Sequence, residues 1–142
     1  MRVGYRRPND FDACALDVAV AIDMAARKGG ERFVVMGHSF GGAVAVAVGV
    51  ALPAPVVGVV TLSTQSAGCE RADELGERGC PLLLLHGDRD ELLPMAASEM
   101  VRMLAGTGEL VVLPGAGHLL TEAADELRDR LTEWVPKVLG DA

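Results

Sequence analysis

Apolar and polar positions along the chain divide it into alternating helices and strands. From Phe11 to Arg27 the apolar residues Phe11, Ala15, Val18, Ile22 and Ala25 or Ala26 recur every three or four positions, with Asp12, Asp17 and Asp23 off the centre of the stripe. That is the period of an amphipathic helix. Asn9 or Asp10 is available to cap its start, and Gly29-Gly30 stops it. Phe33 to Met36 is a short unbroken apolar run, the pattern of a strand buried on both faces. Ala43 to Val50 contains no polar residue, so a helix there is buried on nearly every side. Three more strands are expected at Val56 to Leu62, Pro81 to His86 and Glu109 to Leu113.

The intervening segments read as helices and loops. Glu70 to Gly79 suits a short helix with loops, and Leu93 to Leu104 a helix with Pro94 in its first turn. Met95, Met100 and Met103 are expected as core packing of that helix. The last helix is expected from about Leu120 to Leu139, with Leu120, Ala124, Leu127, Leu131, Trp134 or Val135, and Val138 on one face. Trp134 belongs to the core in this reading, and Asp125, Glu126 and Asp129 form a solvated face. Pro136 kinks this helix or marks its end. Met1 to Asp10 has no periodicity and reads as an irregular lead-in.

Strands alternating with helices at this spacing predict an α/β fold: a parallel sheet of about four strands with helices on both faces, in a single domain over residues 1–142. In such sheets ligands and chemistry gather at the carboxyl ends of the strands. Ser39, Asp90 and His118 each fall just past the end of a different expected strand.

Composition narrows the function more than the fold. Acidic residues outnumber basic ones 20 to 13, and the only dense basic cluster is Arg2 with Arg6-Arg7, which excludes nucleic acid as a partner. Aromatics are 4% of the chain, so aliphatic side chains and Ala must build the core. Cys14, Cys69 and Cys80 cannot all pair and show no zinc spacing; they read as reduced thiols of a cytoplasmic protein, with Cys14 on an apolar helix face. The N-terminus has no apolar core after its arginines, and the run from Ala43 to Leu52 is short of the ~20 apolar residues that span a bilayer. No signal peptide and no membrane partner are expected.

The chemistry centres on Gly37-His38-Ser39-Phe40-Gly41-Gly42. A serine flanked by glycines two positions away suits a sharp, strained strand-to-helix turn that projects its hydroxyl clear of the backbone. The amide of Phe40 then lies at a helix N-terminus, where free N–H groups favour negative charge, and supplies half of an oxyanion hole. A serine hydroxyl needs a base to take its proton, and an imidazole base needs a carboxylate to hold its tautomer. His118 and Asp90 meet those needs, with Asp88 a competitor for the acid. His38 and His86 read as structural. Ser63 to Ser66 either line the pocket or form an ordinary polar loop.

These stretches together resemble the α/β-hydrolase family, in the flavour of its dienelactone-hydrolase-like and esterase branches. Gly37 to Gly42 is similar to the nucleophile elbow, His86 to Pro94 to the acid loop with Asp90 as the triad member, and Pro114 to His118 to the histidine loop. The likeness covers nearly the whole chain and corresponds to the last four strands of the family's eight-stranded sheet. Four strands that precede the first helix in the family, and the loop that donates the second oxyanion-hole amide, have no counterpart in Met1 to Asp10. The chain is therefore expected as an N-terminally truncated member.

The resemblance implies a serine hydrolase acting on a small carboxylic ester or thioester through an acyl-enzyme at Ser39, with no cofactor. The absent strands favour two other expectations: a non-catalytic hydrolase half, or an interaction module pairing through its exposed sheet edge. Such an edge along Phe33 to Met36 offers a route to a homo-oligomer.

Overall fold

The computed structural model describes residues 1–140. Its elements are α1 (Phe11–Arg27), β1 (Phe33–His38), α2 (Phe40–Ala51), β2 (Val56–Leu62), α3 (Asp73–Glu77), β3 (Leu82–Gly87), α4 (Met95–Ala105), β4 (Glu109–Leu113), a 3-10 turn (Thr121–Ala123) and α5 (Ala124–Gly140). The four strands form one parallel sheet in the order β1-β2-β3-β4.

Alternation along the strands sorts the core into two clusters. Val59, Leu82 and Leu84 join Ile22 of α1, Val44 to Val48 of α2, Leu75 of α3 and Val101 of α4 on one face. Val60, Leu83 and Leu85 meet Ala123, Leu127, Leu131 and Trp134 on the other, so α5 covers that face. All six residues of β3 are buried, which is why its sequence shows no polar alternation. Burying one of its leucines contributes roughly 1.5–3 kcal/mol.

The cap of α1 is Asp10, whose carboxylate accepts from the Ala13 N–H. The lead-in before it is irregular but pinned, because Asp17 accepts hydrogen bonds from both the backbone N–H and Nε of Arg6. Asp17 is buried by this contact rather than standing free beside the apolar stripe.

Several expectations are corrected. β1 is not buried on both faces: it lies at one edge of the sheet, where an exposed edge was expected, Val35 is its one buried residue, and Met36 is 46% exposed. Pro94 is the N-cap of α4, one residue before the helix starts. The methionines of α4 are not its core face; Ser98, Val101 and Ala105 are buried there, while Met100 and Met103 are exposed. Leu120 does not begin the last helix. It sits in the left-handed region at φ 59° and leads into the 3-10 turn. Nor does Pro136 end α5, which runs on to Gly140. Trp134 is partly buried against the core.

Candidate active site

The turn from β1 into α2 holds Ser39 at φ 59° and ψ −119°, a backbone conformation costly for a residue with a side chain. The glycines permit it by close approach: a Cβ on Gly37 would land on the carbonyl of Gly41. The Ser39 N–H bonds to the Leu62 carbonyl at the end of β2, anchoring the turn to the sheet. Ser39 therefore projects at the carboxyl end of the sheet, directly before the first turn of α2.

The loops after β3 and β4 bring the other two residues to it. His118 Nε2 lies 3.0 Å from Ser39 Oγ, and His118 Nδ1 lies 2.7 Å from Asp90 Oδ2. With Nδ1 facing a carboxylate, the proton sits on Nδ1 and the Nε2 lone pair faces the serine hydroxyl. The Asp90 side chain is fully buried and that of His118 is 11% exposed.

Burial by itself would raise the Asp90 carboxyl. Hydrogen bonds from the Leu93 N–H, from His118 and from the Leu92 N–H overcome that, and hold it below the ordinary aspartate range. The carboxylate thus stays ionised while enclosed.

Asp88 plays a different part. Its Oδ1 accepts from the Gly115 N–H at 2.8 Å, which fastens the acid loop to the histidine loop. Arg89 N–H to Ala116 O, at 3.0 Å, adds a second tie. Glu122 supports the same loop from beyond His118, accepting from the Gly117 N–H at 2.8 Å. That bond is the largest cause holding the Glu122 carboxyl below its usual range.

His38 and Ser63 converge on one atom. His38 Nε2 donates to the His118 carbonyl at 2.8 Å, and Ser63 Oγ donates to the same oxygen at 2.9 Å. The ends of β1 and β2 therefore hold the histidine backbone in place. Ser63 turns away from a lining role, and neither it nor Thr64, Gln65 or Ser66 borders the cavity beside Ser39. His86 is fully buried, with Nδ1 2.7 Å from Ser98 Oγ and Nε2 donating to the Leu93 carbonyl at 2.9 Å. It braces the turn that presents Asp90.

A cavity of about 690 Å³ opens beside Ser39, Phe40 and Gly41 and runs along β1 toward Met1, Arg2 and Val3. Tyr5 borders it too. Sequence patterning missed Tyr5, because it lies in the aperiodic lead-in. The shared carbonyl of His118 was equally hidden, since its donors meet only when three strand ends converge. Among the described residues no group of three or more His, Cys, Asp or Glu is placed to hold a metal ion. No helix among them is long and apolar enough to cross a membrane.

The sequence model of one family, described as phospholipase/carboxylesterase, matches residues 10–127. An acyl-protein thioesterase 1 from Neurospora crassa is 30% identical over 118 residues, which cover 76% of this chain and 48% of that protein. The chain thus spans about half the length of the curated relative it matches. Among solved structures, Est1E from Butyrivibrio proteoclasticus superimposes with a TM-score of 0.80 at 15% identity, covering 94% of this chain and 72% of that one. A thermophilic esterase from Thermogutta terrifontis gives 0.72 at 19% identity, over 97% and 75% of the two chains. At such identities these two likenesses establish the fold.

Proposed function

Because the chain belongs to the phospholipase/carboxylesterase family of α/β-hydrolases, we propose that it cleaves a small carboxylic ester or thioester through an acyl-enzyme at Ser39. The observation that carries the reading is the unbroken relay Asp90–His118–Ser39, with contacts of 2.7 and 3.0 Å.

Ser39 Oγ attacks the substrate carbonyl while its proton passes to His118 Nε2. The negative charge that develops on the carbonyl oxygen faces the N-terminus of α2, where the Phe40 amide has no intrahelical acceptor. The carbon–oxygen or carbon–sulfur bond to the leaving group then breaks, and His118 returns the proton to that group. Water enters, gives a proton to His118 and attacks the acyl carbon, releasing the acid and restoring Ser39. Asp90 keeps the Nδ1 proton in place and stabilises the imidazolium at each stage. The steps balance without a cofactor.

A thioester substrate is favoured by the Neurospora crassa acyl-protein thioesterase, a carboxylic ester by the carboxylesterase description of the matching family. Of the two branches expected from the motifs, only the esterase appears among these names. The chain acts as a single domain in this reading, because both apolar clusters pack against one sheet. Its three cysteines are free and buried, which suits a cytoplasmic setting.

Turnover of p-nitrophenyl acetate and of a short acyl thioester tests the proposal. The expected result is an initial burst of nitrophenol stoichiometric with enzyme, as acyl-enzyme accumulates, and no turnover by Ser39→Ala. Equal rates for wild type and Ser39→Ala would reject it.

The outer edge of β1 supports a second reading, in which the fold also associates with another copy of itself. β1 has a strand on one side only, and the cavity along it is walled by Phe33, Val34, Val35 and Met36. Two copies pairing β1 to β1 about a two-fold axis would satisfy both edges at once.

A further inference from the structure

We propose that the hydroxyl of Tyr5 donates a hydrogen bond to the substrate carbonyl oxygen as it becomes an oxyanion, beside the amide of Phe40. This rests on the ester-cleavage reading above and names a second donor for it.

The position of Tyr5 is fixed from several directions. Its ring packs edge-on against Phe40 at 6.4 Å, and Phe40 packs edge-on against Phe11 at 5.7 Å. The next residue, Arg6, is held by its backbone N–H and Nε on Asp17. Two residues on, the Arg7 carbonyl accepts from Cys14 Sγ. These contacts bind an aperiodic segment to α1 and to the start of α2.

Its hydroxyl stands at the first turn of α2. A Cβ built on Gly41 would lie 3.2 Å from it, with no other atom within 4 Å. The N–H groups of Phe40 and Gly41 belong to that first turn, where a helix leaves its donors without internal acceptors. Tyr5, Ser39, Phe40 and Gly41 all border the same cavity. A carbonyl carbon bonded to Ser39 Oγ would place its oxygen in that space, near the phenol and the free amides.

The hydroxyl borders the cavity and is open to solvent or a ligand rather than sealed in the core. No hydrogen bond from it to another residue occurs among the described residues, so the donor is available to a bound molecule. Packing on Phe40 needs only the ring, which phenylalanine would supply. Burial first, and the nearby Cys14 second, push the phenol above its usual range, so it remains a protonated donor at neutral pH. Loss of a single oxyanion donor typically lowers kcat by ~10²–10³, so a second donor beside the Phe40 amide bears directly on the rate. Tyr5 supplies that second donor from a side chain rather than a loop amide.

The test uses the full chain and p-nitrophenyl acetate. Tyr5→Phe should keep the ring packing and the melting temperature, leave KM within about twofold, and lower kcat by ~10². A kcat unchanged by Tyr5→Phe would overturn the proposal. Tyr5 is the chain's only tyrosine, so growth on 3-fluorotyrosine alters this phenol alone. Fluorination makes the phenol more acidic, and the alkaline limb of kcat should move to lower pH if its proton is needed. A limb that stays in place would overturn the proposal even if Tyr5→Phe folds poorly. Turnover equal in wild type and Ser39→Ala would instead remove the underlying hydrolase reading, and this inference with it.

Discussion

Two aspartates in one loop, Asp88 and Asp90, bind different partners, and a single substitution at each separates their parts. Asp90 accepts the hydrogen bond of His118 Nδ1–H, and Asp88 accepts that of the Gly115 N–H. Asp90→Asn should lower kcat by up to ~10⁴, the cost seen when the wrong histidine tautomer is left in a serine–histidine relay. Asp88→Asn retains an oxygen that can accept from Gly115, so its kcat should stay within about tenfold of wild type, in keeping with an oriented loop rather than a proton relay. Steady-state kinetics on one ester rank the two, and the reverse order would reassign the acid. The residue types alone left both carboxylates open, and only the spacing of the resembled motif preferred Asp90. The paired donors from His38 and Ser63 to the His118 carbonyl left no trace in the sequence, because that oxygen carries no residue type to read.

Among elements, α1, β2 and β4 were legible to the residue, because each has a clean period or a bounded apolar run. α4 was legible as a helix but not in its facing. Its buried stripe is Ser98, Val101 and Ala105, weakly hydrophobic, while the larger methionines point outward. β1 was legible as a strand and as a sheet edge, because no strand precedes it in this chain, but its unbroken apolar run read as buried on both faces where only Val35 is. In α5, Pro136 removes one helical N–H without ending the helix, because the apolar face around it is held by Trp134 and Val138. Pro136→Ala should restore that hydrogen bond and raise stability in urea denaturation by up to ~3 kcal/mol. A loss of stability would show that the proline conformation is itself required.

For the whole molecule, charge and edge set the solution behaviour. The carboxyls of Asp17, Asp90, Glu70 and Glu122 all lie below their usual ranges in the folded chain. For Asp17 the Arg6 backbone N–H is the largest cause. A lowered folded value means these groups stabilise the fold above their unfolded values, about 4. That stability is lost as pH falls through the folded values. Denaturation midpoints should therefore drop below about pH 4, and Asp17→Asn should make the drop shallower. A midpoint indifferent to acid would contradict these assignments. At the β1 edge, wild type should sediment as a concentration-dependent dimer and Met36→Lys as a monomer, because a charge there opposes strand pairing. Identical monomeric profiles would remove the self-association reading.

The central claim is that Ser39 is a nucleophile activated by His118 and Asp90. Its most direct test is the intact mass of the folded chain after exposure to a fluorophosphonate, with the adduct mapped by proteolysis. The account predicts one adduct on Ser39, none in Ser39→Ala, and much slower labelling in His118→Ala. A folded wild type that takes no adduct, or Ser39→Ala labelled as fast as wild type, would contradict it.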